Sequence, residues 1–184
     1  MTSNVEGYFN LKVQNEELAK ENARLKGLLF NIKDSTKVPN LDSIKGVKKI
    51  DIIISKVIKN SYSNQVNFLT LNSGSNQGVK PEMGVINSLG IVGIVENTSA
   101  NYSTVLSILN TESPLNAKVK KSNHIGSLTW NGKNTGFVQL TDVPRLATVR
   151  KGDTIVTGAQ STIFPENIGI GTIEKIYIDN ETNL

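Results

Sequence analysis

Leucine returns every seventh residue near the start of the chain, at Leu11, Leu18 and Leu25, and Ile32 completes the series. Tyr8, Asn15, Asn22 and Leu29 fill the second position of the same repeat, giving an a/d seam over three and a half heptads. A 3.5-residue seam is too narrow to bury itself on its own body, so it calls for a partner helix. Residues 5–33 are therefore expected to form a coiled-coil helix, roughly 35–40 Å long at about 1.5 Å per residue. Asn at a is stable only opposite another Asn in register, which favours two parallel chains over larger bundles. Glu21 at g can pair with Lys26 at e of the neighbouring strand. The expected dimer interface is Tyr8, Leu11, Asn15, Leu18, Asn22, Leu25, Leu29 and Ile32. A plain amphipathic helix lying on its own domain would carry a wider apolar stripe.

Residues 34–49 turn polar, with Asp34, Ser35, Pro39, Asn40, Asp42 and Gly46, and read as a linker. Beyond it the helical period is gone. Ile50, Ile52 and Ile54 alternate with their neighbours, as do Val66, Phe68 and Thr70. Short apolar runs follow at Val85–Ile86, Ile91–Val95, Thr104–Leu109, Ala117–Val119, Gly126–Trp130, Phe137–Leu140, Thr154–Thr157 and Gly171–Ile178. Strands this short, separated by glycine-bearing turns, argue for barrels or sandwiches and against βαβ units. Asn131-Gly132 marks a hairpin, and Trp130 and Phe137 beside it read as core residues. The fold class is mainly β: an N-terminal coiled-coil helix followed by two small β-barrel-like domains. The first spans 50–110, with strands in 170–184 as candidates for completing it; the second spans 111–169. Val79 to Ile86 and Val149 to Val156 echo one another, each running from a valine through a basic turn into a strand.

Composition removes several chemistries. The 184 residues contain no cysteine, so no disulfide, thiolate metal site or cysteine nucleophile exists. The net charge is +4, but the lysines and arginines are scattered and read as solvation. No stretch reaches the ~20 apolar residues that cross a bilayer. Because the heptads begin so close to Met1, a segment is expected upstream of it.

The search for a catalytic site returns none. The single histidine, His124, could join Asp142 and a serine in a triad. It sits instead in a polar turn, Lys121-Ser122-Asn123-His124, and no glycine-flanked nucleophilic serine accompanies it. A lone histidine lacks the companions of a metal site, and no phosphate-cradling loop opens a helix. No cofactor is expected. Glu16 with Glu17, and Asp179 with Glu181, read as solvated pairs. A bZIP-type reading fails because residues 1–7 carry no Lys or Arg to neutralise phosphates, and no surface aromatic set stacks bases. No nucleic-acid partner is expected.

Residues 50–176 resemble the extracytoplasmic region of MreC, the bacterial rod shape-determining family. The resemblance is carried by Leu71-Asn72-Ser73-Gly74-Ser75-Asn76-Gln77-Gly78-Val79, Met83-Gly84-Val85-Ile86 and Gly90-Ile91-Val92-Gly93-Ile94-Val95. Val105 to Leu109, Ala117-Lys118-Val119 and Gly126 continue it. Gly152-Asp153-Thr154-Ile155-Val156-Thr157-Gly158, Phe164-Pro165 and Ile168-Gly169-Ile170-Gly171 close it. Each motif alone is a weak glycine turn; their order and spacing make the resemblance specific. It implies a single-pass inner-membrane protein, anchored by an upstream helix absent from this chain, with these residues on the periplasmic or extracytoplasmic side. It also implies a non-catalytic, homodimeric scaffold of the elongasome that organises peptidoglycan synthesis and maintains rod shape. The implied partners are MreD, the MreB filament system and the class B penicillin-binding transpeptidase with its glycosyltransferase. The partner-binding surface and the formation of filaments stay open at this point. The competing reading is a periplasmic adaptor of a secretion or efflux pump, which needs a helical hairpin returning to its barrel; only one helix is seen. A trypsin-like enzyme stands third.

Overall fold

The structure, a computed structural model, describes residues 3–33, 52–112 and 114–177, and within the helix the side chains of residues 13–29. The linker expected over 34–49 lies outside the described residues. The chain divides into two units, Met1–Ser55 and Lys56–Leu184.

Among the described residues the first unit carries one helix, α1 (Ser3–Lys33), 31 residues without proline. Those of the second form ten strands in two open antiparallel sheets. The first sheet holds β1 (Val57–Asn60), β2 (Val66–Leu71), β3 (Gly84–Ile86), β4 (Ile91–Thr98) and β5 (Ser103–Asn110), in the order β1-β2-β5-β4-β3. The second holds β6 (Leu115–Val119), β7 (Ile125–Thr129), β8 (Gln139–Thr141), β9 (Thr154–Thr157) and β10 (Gly169–Thr172), in the order β10-β9-β6-β7-β8. The first sheet's pairing slips between Val57 and Lys59, Val66 and Phe68, Val85 and Ile86, and Val95 and Asn97. Such irregularities increase local twist and bend a flat sheet toward a half-barrel.

The period-two patterning does what it should. In β2 the face formed by Asn67, Leu69 and Leu71 is buried, and in β5 the buried face is Ser103, Val105 and Ser107. Asn67, fully buried among apolar side chains, is satisfied on both ends of its amide. Its Nδ2 donates to Asn64 O and Leu109 O, both at 2.8 Å, and its Oδ1 accepts from Asn64 N at 3.0 Å. A buried amide with every group paired specifies one loop geometry instead of weakening the core.

Three expectations are corrected. No strand covers Ile52 or Ile54; pairing starts at Val57. The reason is the partner: β2 ends at Leu71, and Asn72 closes the pairing just beyond it, its N–H donating to Lys56 O at 3.0 Å and its side-chain Oδ1 accepting the Lys56 N–H at 2.8 Å. Strand β10 does not complete the first sheet but pairs with β9 in the second; residues 178–184 lie outside the described residues. Phe137 is half exposed and not a core residue. Trp130 is buried, its Nε1–H donating to Asn134 O at 2.9 Å, and that bond closes the hairpin without help from Phe137.

The echo between 79–86 and 149–156 is real in the turns and in the strand pairs they lead into, β3 with β4 and β9 with β10. Glu82 and Gly152 both take positive φ (66° and 89°), and their N–H groups donate to Val95 O and Ile173 O, both at 2.8 Å. Val95 N and Ile173 N return to Met83 O and Asp153 O at 2.8 and 2.9 Å. The strands that follow differ in place: β3 is an edge strand, whereas β9 lies inside its sheet. The turn and the strand pair after it are repeated; the place of that pair in its sheet is not.

The two sheets meet at the segment joining β9 to β10, at the start of β10, and where β5 approaches β7. Phe164, buried, lays its ring on Gly84 of β3, where a β-carbon would come within 2.5 Å of Cε1. The α-carbon of Gly90 faces the carbonyl of Gly169, and a β-carbon there would lie 2.1 Å from that oxygen. Only glycine fits either place.

Candidate functional site

The expected dimer seam divides into parts the structure describes and parts it does not. Asn15, Leu18, Asn22, Leu25 and Leu29 all lie on α1 with exposed side chains, Leu18 at 60%. Tyr8, Leu11 and Ile32 belong to the same helix, but their side chains fall outside the described ones. At ~100° per residue the described seam residues share one stripe.

A different stripe is half-buried: Ala19, Ala23, Lys26 and Gly27. Ile52 approaches it, its Cδ1 lying 3.9 Å from where a β-carbon on Gly27 would stand. The face that the first unit covers is therefore small-residue and about a quarter turn from the leucines. The leucines keep their apolar area in water, a cost of roughly 25 cal/mol per Å² that a second helix would remove.

Glu21 already has a partner on its own helix. Arg24 Nε donates to Glu21 Oε2 and Arg24 Nη2 to Oε1, both at 2.8 Å. These hydrogen bonds hold the Glu21 carboxyl below the usual carboxylate range. The Glu21–Lys26 pair across two chains therefore competes with a bidentate contact one turn away.

The triad reading finds no geometry to support it. Asp142 accepts from its neighbour Thr141 Oγ1 at 3.3 Å, and the buried His124 Nδ1 has no hydrogen-bond partner. The imidazole–carboxylate bond that orients a catalytic base is thus not made through Nδ1. A cleft of about 210 Å³ lies nearby, lined by Lys121, Ser122, Thr148, Arg150 and Asp153. It offers two cations and a carboxylate that already accepts Arg150 N at 2.8 Å. Among the described residues, no group of three His, Asp or Glu is placed to hold a metal ion, and no helix is long and apolar enough to cross a membrane.

Outward-facing apolar side chains mark candidate contact surfaces on the second unit. The edge strand β1 exposes all four of its residues, with Val57 at 44% and Ile58 at 53%, and Tyr62 follows just beyond it at 61%. An edge strand with unpaired backbone groups and apolar side chains is able to accept another strand.

Sequence reasoning passed over Lys118. It lies in β6 between Ala117 and Val119, and all three are buried. Strict alternation predicts an outward lysine at one of three such places. Its immediate neighbours Ala117 and Val119 are apolar, but Asn116, Lys120 and Lys121 just beyond them make it look like an ordinary solvated lysine.

The rod shape-determining protein MreC barrel-core family matches residues 57–184. The cell shape-determining protein MreC of Listeria monocytogenes is 31% identical over 173 residues, 92% of this chain and 58% of that protein. The MreC of Bacillus subtilis is 26% identical over 186 residues, 96% of this chain and 60% of that protein. The chain thus spans about three fifths of the length of these relatives. A solved Listeria MreC structure aligns with a TM-score of 0.69 at 30% identity, covering 94% of this chain and 82% of that one. The crystal structure of MreC from Pseudomonas aeruginosa gives 0.66 at 20% identity over 71% of this chain and 83% of its own, a likeness of fold.

Proposed function

Because the chain belongs to the MreC family of cell shape-determining proteins, we propose that it is a dimeric, non-catalytic scaffold of the wall-elongation machinery. Two α1 helices zip in parallel through the leucine–asparagine seam and present paired β bodies from the outer face of the inner membrane. An upstream membrane helix anchors each chain. The observation that carries this reading is the open seam: Leu18, Leu25 and Leu29 stay exposed while the first unit half-covers another face of the same helix.

Binding is then the activity. The bodies offer edge strands and apolar side chains to MreD, to the MreB system, to the transpeptidase and its glycosyltransferase, or to further dimers in a filament. Pairing gives avidity, since a second contact on an assembly held at one membrane becomes intramolecular. The relatives named above are MreC proteins, and the pump-adaptor reading is set aside.

The test is sedimentation equilibrium. The native chain should show the mass of two copies, and Leu18→Glu with Leu25→Glu the mass of one, with the β bodies still folded. A native monomer, or a double variant that stays dimeric, would remove the zipper from the proposal.

A further inference from the structure

Lys118 is a buried cation, 8% exposed. A buried ammonium persists only with charged or hydrogen-bonding partners around it. Its Nζ donates to Asn123 Oδ1 at 3.0 Å and to Glu166 Oε1. Asn123 belongs to the β6–β7 turn, where it takes a positive φ of 57°. Glu166 belongs to the long connection from β9 to β10, and its side chain is 43% exposed.

That same connection carries Phe164, the ring that covers Gly84 in the other sheet. Its base is tied to β9: Thr157 Oγ1 donates to Pro165 O at 2.6 Å and accepts from Ile168 N at 2.9 Å. Ser161 Oγ accepts from Phe164 N at 3.0 Å and fixes the turn just before the ring. The loop is therefore gripped on the second sheet at Thr157 and Lys118 and reaches the first sheet with an aromatic side chain. Glu166 lies two residues from Phe164, too close for one to shift without the other.

We propose that Lys118 and Glu166 form a latch that sets the relative orientation of the two sheets. Lys118 anchors the carboxylate, the carboxylate fixes the loop, and the loop seats Phe164 on Gly84. Releasing the pair removes one of the loop's two grips, leaving the Thr157 bonds, and loosens the ring on Gly84 so that one sheet turns more freely against the other while each keeps its own hydrogen-bonded ladder. The role is one of positioning. It concerns how the β body holds its shape, and it stands whether or not two chains zip together.

The absence of cysteine makes the test direct. Lys59→Cys on β1 and Lys133→Cys in the β7–β8 hairpin, both exposed, take spin labels on either sheet, and pulsed electron resonance reads the distance between them. With labelled chain diluted in a large excess of unlabelled chain, so that only distances within one chain are read, the unaltered latch should give one narrow peak. Glu166→Gln and Phe164→Ala should each lose it for a broad distribution. Lys118→Met, which removes the buried charge together with its need for a partner, should behave like Glu166→Gln with the second sheet intact. Trp130, the single tryptophan and buried in that sheet, reports its integrity through a blue-shifted emission that should not change. A narrow native peak retained by Glu166→Gln and Lys118→Met overturns the latch. So does broadening accompanied by a red shift of Trp130 in both, which would make the pair a folding element of the second sheet alone.

Discussion

The ring of Phe164 lies against Gly84 so closely that a β-carbon on the glycine would stand 2.5 Å from Cε1 and 2.6 Å from Cδ1. An aromatic ring in a buried seat cannot retreat by that distance without leaving it. Gly84→Ala should therefore act as an overpacking substitution, lowering stability by about 1–3 kcal/mol. Thermal unfolding followed by circular dichroism measures the loss. A smaller ring partner should compensate, so Gly84→Ala with Phe164→Leu should be less unstable than the two single changes added together. Strict additivity would show that the two residues do not press on each other.

Asn67 makes a sharper prediction because its amide serves three backbone groups. Asn67→Ala leaves Asn64 N, Asn64 O and Leu109 O without that amide. Asn64 is exposed, so water recovers its two groups, but the half-buried Leu109 O and the emptied site of the fully buried amide should cost about 1–3 kcal/mol. The urea midpoint should fall clearly, with the slope unchanged. Asn67→Asp keeps an acceptor but loses both donated bonds and brings a charge, and should fare no better. A midpoint within error of the native one would contradict this account.

Much of this fold can be read from residue order, and the failures have physical causes. The alternation of β2 and β5 gives their buried faces directly, because one face of each meets the core and the other does not. Strand β1 falls a few residues later than the isoleucine pattern suggests. That pattern says which residues are apolar, but whether they pair depends on Asn72 ending the neighbouring ladder. Lys118 and Phe164 escape periodic reasoning for a shared reason. One is a charge buried by a carboxylate 48 positions away; the other is a core aromatic on a loop with no period at all. The proposed dimer seam is read from residue order, since a heptad asks for a partner helix that a single chain does not contain.

The Glu21–Arg24 contact gives a prediction with a definite sign. Hydrogen bonds from Arg24, reinforced by its charge, lower the Glu21 carboxyl from its ordinary value of 4.5. A carboxyl lowered on folding contributes stability that is present above its unfolded value and is lost as pH falls through the folded one. The contribution should disappear on acidification below the ordinary glutamate range. Both side chains face solvent, so it is small and weakened by salt. Carboxyl-carbon NMR titration should place Glu21 below the ordinary glutamate value, and Arg24→Gln should raise it toward that value. An unmoved Glu21 in that variant would show that Arg24 is not the cause.

The two asparagines of the seam lead to the prediction that best separates a zipper from a surface helix. Asn15 and Asn22 occupy a positions, where a polar residue lowers stability but restricts chain number and register. Replacing both with valine should tighten association, because apolar area is buried in place of two amides that require mates. Valine at a with leucine at d still favours two strands, but the registers that the asparagines exclude become available. Sedimentation equilibrium should show a lower dissociation constant, and mixing chains that carry Leu18→Cys with chains that carry Leu25→Cys should yield an 18–25 disulfide, one heptad out of register, that the native asparagines suppress. On a helix that only lies on its own body, the same exposed positions would gain two valines and no partner. The mass would then stay that of one chain, and the added apolar surface would appear as lower solubility.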